Sequence, residues 1–91
     1  MDILQEKMQN TDFVWAYRND ISFEGKDEHG YYTVCVNGLE NDDYDIACYS
    51  FKDYEKLKKF ISSWFGETYY DFLCKVYEKY GNEEWHMKQW F

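Results

Sequence analysis

The chain has 91 residues, of which 23% are Phe, Trp or Tyr, and a formal net charge of −8; this length gives one domain with room for a single small core. An acidic excess of this size argues against direct binding to nucleic acid or to an anionic membrane, since both need Lys and Arg to offset their negative field. No apolar run approaches the ~20 residues of a membrane span, and residues 1–10 lack the apolar stretch of a secretory signal, so the expected compartment is the cytoplasm, with the three cysteines held as reduced thiols.

In chain order, Asp2 is placed to cap a short first helix carrying Ile3, Leu4 and Met8, with Asn10 and Thr11 limiting its length. Residues 13–17 either continue that helix, with Leu4, Met8 and Trp15 on one side, or become extended, with Phe13, Trp15 and Tyr17 alternating; a break near Asn10 is the favoured reading. Residues 21–24, 31–37 and 44–49 are short β-branched and aromatic runs separated by Gly-rich or acidic turns, which predicts a three-stranded antiparallel meander. Pairing Val36 with Tyr44, Val34 with Ile46 and Tyr32 with Cys48 keeps apolar residues on one face, and the same logic pairs Ile21 with Val34 and Phe23 with Tyr32. The opposite face then carries Tyr31, Thr33, Cys35, Asp45, Ala47 and Tyr49. In this register Cys35 and Cys48 point to opposite faces, which excludes a disulfide or a shared metal between them. Cys48 and Cys74 read as buried thiols.

The clearest helical signal spans residues 50–66. Tyr54, Leu57, Ile61 and Trp64 recur at three- and four-residue steps and form one stripe to bury, while Lys52, Glu55, Lys56 and Lys59 face solvent. Ser50 with Asp53 has the spacing of a capping box, Tyr49 with Tyr54 that of a hydrophobic staple, and Gly66 marks the end. Thr68 with Asp71 repeats the box ahead of a third helix running to Tyr80 and stopped by Gly81. Its apolar residues cover more than one stripe, so it is either sandwiched or keeps a face for a partner. Asn82, Glu83 and Glu84 open a last short helix that carries Trp85, Met87, Trp90 and Phe91. The expected fold is α+β: one domain over residues 1–91, a three-stranded antiparallel sheet packed on one face by helices, a short N-terminal helix and two to three C-terminal ones.

The side chains that carry chemistry do not converge. His29 falls in a turn tip and His86 near the C-terminus, each without an evident partner. Asn41, Asp42, Asp43 and Asp45 lack the central Gly and terminal Glu of a calcium loop, and there is no phosphate-cradling Gly loop or nucleophile elbow. The reading is therefore of a non-enzyme without catalytic residues, metal or cofactor. The acids are more informative: Asp20, Glu24, Asp27, Glu28, Glu40, Asp42, Asp43 and Asp45 face Lys26 alone, so residues 20–45 hold −7 of the −8. In a meander Asp27 and Glu28 mark one end, while Glu40, Asp42 and Asp43 mark the other with Asp20 nearby. Alternate strand residues such as Asp43 and Asp45 lie about 6.6 Å apart, a spacing at which carboxylates stand in for phosphates and offer bidentate partners to Arg. The competing reading is a solubilising tip that also discourages edge pairing.

The order of elements, the run Val36-Asn37-Gly38 leading into acids before Tyr44, and Lys59-Phe60-Ile61-Ser62-Ser63 in the central helix together resemble the small acidic phage-encoded anti-CRISPR proteins, the helix–three-strand–two-helix inhibitors of the type II RNA-guided nuclease. The resemblance covers roughly residues 2–75 and leaves out the aromatic stretch from Trp85 to Phe91. It implies a non-enzymatic inhibitor whose acids occupy the arginine-built site that reads the short DNA motif beside the target. The positions implied are Glu40, Asp42 and Asp43 on the hairpin and Glu67 and Asp71 around the third helix. With Asp20 and Asp45 from the charge pattern, these form the expected partner-binding set. The expected partner is a basic nucleic-acid-binding protein, a CRISPR effector nuclease, met in the bacterial cytoplasm; neither nucleic acid nor membrane is bound directly. Two other readings remain: an immunity protein or antitoxin against a basic nuclease toxin, and a self-associating module, with a homodimer open in either case.

Overall fold

The computed structural model describes residues 1–18, 20–37 and 46–81. The fold is α+β, with an antiparallel sheet and three helices among the described residues. Helix α1 (Ile3–Lys7) starts where the sequence places it: the Asp2 carboxylate accepts from the Gln5 N–H at 2.8 Å. It stops before Asn10, whose side chain caps the following turn through the Asp12 N–H.

The expected three strands are four, in the order β1-β2-β3-β4, because residues 14–17 take the extended alternative. Strand β1 (Val14–Tyr17) pairs with β2 (Ile21–Glu24) and sets Trp15 beside Phe23, ring centroids 5.8 Å apart. Two large rings on one pleated face give this short hairpin a core that a helix continuing from α1 lacks. Gly25 then makes a close approach possible. A Cβ there would run into the Asn10 carbonyl, and the Gly25 and Lys26 N–H groups donate to Phe13 and Met8 carbonyls at 2.7 Å each.

Strand β3 (Tyr32–Asn37) meets β2 two residues further along than expected, Ile21 opposite Val36 and Phe23 opposite Val34, which preserves the faces. The pairing with β4 (Ile46–Phe51) differs more. Val34 faces Tyr49, Val36 faces Ala47 and Tyr32 faces Phe51, an odd shift from the expected register that turns β4 over. Ala47 and Tyr49 join the helix side, while Cys48 lies opposite Cys35 and forms a disulfide with it, sulfur to sulfur 2.08 Å. Cys48 is therefore neither buried nor a free thiol, and the expectation of three reduced cysteines holds for Cys74 alone. The physical reason is the composition of β4: Ile46, Ala47, Cys48 and Tyr49 are apolar on both sides, so alternation cannot orient the strand. Its packing does, since Tyr49 and Phe51 both lie against the Phe60 ring, at 4.6 and 5.4 Å.

Lengthening β4 to Phe51 also takes Ser50 and Tyr49 out of the expected capping box and staple. Helix α2 (Tyr54–Phe65) is capped instead by Asp53, which accepts from the Glu55 N–H at 3.0 Å. Tyr54, Leu57 and Ile61 are buried and Trp64 half-buried, as the periodicity predicts; Lys52, Glu55, Lys56 and Lys59 are exposed. Gly66, at φ 108°, ends the helix in a conformation that L side chains rarely adopt. Helix α3 (Tyr69–Tyr80) has the expected bounds, but Thr68 makes no side-chain cap bond. Tyr70, Leu73 and Tyr77 are buried, Tyr69, Cys74, Val76 and Tyr80 half-buried, and Phe72 exposed. Both long helices lie on one face of the sheet, enclosing Leu4, Met8, Trp15, Phe23, Val34, Val36, Leu57, Ile61 and Leu73. The expected last helix lies outside the described residues, as does the hairpin tip at residues 38–45.

Candidate functional site: the acidic end of the sheet

The β1–β2 turn, the end of β3 and the start of α3 meet at one end of the sheet. The turn reverses through Arg18, whose φ is 55°, and the Asp20 carbonyl accepts from the Asn37 N–H at 3.0 Å, locking the turn to the last residue of β3. Tyr17 extends from the same turn and takes the exposed Phe72 ring edge-on at 5.6 Å. Tyr69 closes the corner. Burial raises its hydroxyl to about 12, and the nearby Asp20 charge pushes in the same direction against Arg18.

Asp20 thus lies near Tyr69, the first residue of α3, and Glu67 and Asp71, two residues to either side of Tyr69 in the chain, are exposed. Asn37 is the residue from which the chain enters the acidic stretch 38–45, so the Asp20 turn borders that entry. Glu40, Asp42, Asp43 and Asp45 lie outside the described residues. Two polar atoms of this corner, Asn37 Oδ1 and Tyr69 Oη, are buried and accept or donate no hydrogen bond among the described residues.

The opposite end of the sheet differs in kind. Asp27 accepts from the backbone N–H groups of Tyr31 at 2.9 Å and His29 at 2.8 Å, forming the turn itself. The Tyr31 N–H first, and then that of His29, hold its carboxyl below the ordinary range. That carboxylate is engaged within its own turn, so Asp27 is less available to an outside cation.

A second polar cluster was not legible in the sequence. Tyr70 Oη donates to Asp2 Oδ1 at 2.6 Å and lies 2.7 Å from Tyr54 Oη, so Tyr54 donates to Tyr70. Lys58 Nζ completes the group, 3.3 Å from Asp2 Oδ2 and 5.0 Å from the Tyr70 ring centroid. Burial raises both tyrosine hydroxyls and keeps them neutral. The cluster clasps α1 to α2 and α3. Asp2 and Tyr70 are 68 residues apart, and no local spacing links them. Cys74 borders this cluster, its thiol raised to about 11 by burial, consistent with a core filler.

Among the described residues no three His, Cys, Asp or Glu side chains gather as a metal site, and no helix is long and apolar enough to cross a membrane. No family model, curated protein or solved structure matches the chain.

Proposed function

We propose that the protein is a non-enzymatic inhibitor that places the acidic end of its sheet on a basic, nucleic-acid-binding surface of a CRISPR effector nuclease, standing in for the DNA that surface normally holds. The observation that carries this reading is the segregation of charge: −7 of the −8 lies within residues 20–45. Support comes from the neighbourhood of Asp20, since its turn, the β3 exit and the α3 start with Glu67 and Asp71 share one end of the fold. Carboxylates so grouped pair with Arg forks that otherwise hold phosphate or guanine. Phe72, 43% exposed at that end, adds an aromatic contact that excludes water from the ion pairs.

In this mechanism Glu40, Asp42, Asp43 and Asp45 meet the basic site, Asp20, Glu67 and Asp71 widen the negative field, and the helices hold the sheet rigid behind them. Inhibition is stoichiometric and competitive with DNA. The test is DNA cleavage by the purified effector titrated with the wild type and with an Asp42→Lys, Asp43→Lys variant. The variant should keep its circular dichroism and melting temperature and lose inhibition; full inhibition by the folded variant would reject the hairpin role. A pull-down from lysate, washed at low and high salt, separates this target from a nuclease toxin, because mass spectrometry names the captured protein.

A further inference from the structure

We propose that β4 is a docking edge for a second copy of this chain, pairing antiparallel with its own counterpart around Tyr49. β4 is the last strand of the sheet, with neighbour β3 on one side alone among the described residues. Its six residues, Ile46-Ala47-Cys48-Tyr49-Ser50-Phe51, contain no charge, Gly or Pro, the features by which proteins ordinarily blunt an edge.

The hydrogen bonds fix which backbone groups of β4 face away from β3. Asn37 donates its N–H toward β2, to the Asp20 carbonyl. Alternation along β3 then turns Tyr32, Val34 and Val36 toward β4, and their partners Phe51, Tyr49 and Ala47 toward β3. Ile46, Cys48 and Ser50 therefore point their N–H and C=O groups away from the sheet. The 4.0 Å Cα separation of Cys35 and Cys48 agrees, since the closer pairs of an antiparallel ladder are the non-hydrogen-bonded ones.

Charge complementarity selects a second copy and its direction. Asp42, Asp43 and Asp45 precede β4 in the sequence, and Lys52 follows it, with Lys56 and Lys59 on α2. Parallel pairing would set like ends together. Antiparallel pairing with Tyr49 opposite Tyr49 sets Lys52 of each copy beside Ile46 of the other, the residue that Asp45 precedes in the sequence. The same register joins two half-covered aromatic ledges: Tyr49 is 37% exposed against Phe60, and Phe60 leans on Trp64 at 5.8 Å. Exposed Ile46 is covered on the other face. The result is a continuous eight-stranded sheet across a two-fold axis.

This surface is separate from the inhibitor reading, and it is tested on the pure protein without any target. Sedimentation equilibrium of the full chain from micromolar to millimolar concentration should fit a monomer–dimer equilibrium. Tyr49→Lys sets two charges face to face, and Ser50→Pro removes an N–H that makes no bond to β3; each should weaken dimerisation by about tenfold or more with far-UV circular dichroism unchanged. Should Tyr49→Lys fail to fold, Ser50→Pro carries the test alone. Val14→Lys, on the exposed side of the far strand, should leave the dimer intact. A wild type that stays monomeric throughout, or a dimer of full strength in folded Ser50→Pro, would overturn the proposal.

Discussion

At the scale of single residues, Asp2 has the largest structural role for its size. It caps α1, accepts from Tyr70 and meets Lys58, so one carboxylate ties the N-terminus to both long helices. Burial raises its pKa, but the hydrogen bonds from Tyr70, the Gln5 N–H and Lys58 together outweigh burial and leave it below the ordinary 3.8. A lowered folded pKa means that the contribution is present above the unfolded value and disappears as pH falls through the folded one. Acid titration of the wild type should therefore show a stability loss below about pH 4 that Asp2→Asn lacks. At neutral pH, Asp2→Ala should cost about 1–3 kcal/mol in a denaturant melt, from a lost cap and a charge-assisted bond. Gly25 is the other decisive residue. Gly25→Ala should destabilise by about 1–3 kcal/mol, because the new methyl meets backbone at Asn10 that cannot step aside.

At the scale of elements, the helices were legible in the sequence and the last strand was not. The stripe Tyr54, Leu57, Ile61 and the bounds of α3 follow from spacing and from Gly66 and Gly81, signals contained within one or two turns. Turning β4 over required a partner on each side: Phe60 for Tyr49 and Phe51, and Cys35 for Cys48. The disulfide closes a loop with a sequence separation of 13, for which chain entropy gives a stabilisation of about 3 kcal/mol. Reductant, or Cys35→Ser with Cys48→Ser, should lower the unfolding free energy from a denaturant melt by up to that amount while the native circular dichroism persists. That outcome would mean that Tyr49 and Phe51 against Phe60 hold the register without the bond. Collapse of the sheet on reduction would show instead that the bond sets the register.

At the scale of the whole molecule, the distribution of charge matters more than its total. Net charge alone serves solubility, whereas acids concentrated in one stretch of the chain, −7 of the −8 within residues 20–45, are proposed to create a directed field. Association with a basic target should slow steeply as salt rises, with a smaller change in dissociation, in stopped-flow measurements; a salt-independent on-rate would argue against electrostatic docking. The two surfaces divide the sheet. The Asp20 end is the proposed target-binding surface and the β4 edge the proposed self-docking one, so a variant such as Ser50→Pro that loses dimerisation and still inhibits would show that they act separately.

Short-range physics, readable from neighbouring residues, accounts for the Asp2 cap, the break near Asn10, the faces and ends of α2 and α3, the antiparallel strands and the clustering of acids along the chain. Contacts between residues far apart in the chain set the fourth strand, the face of β4, the Cys35–Cys48 bond, the Asp53 cap in place of Ser50, and the Asp2–Tyr70–Tyr54 clasp. The division has a physical cause. Caps and helical stripes are satisfied by neighbours a few residues away, whereas a strand that is apolar on both sides acquires its orientation from the ring or sulfur that happens to lie across from it.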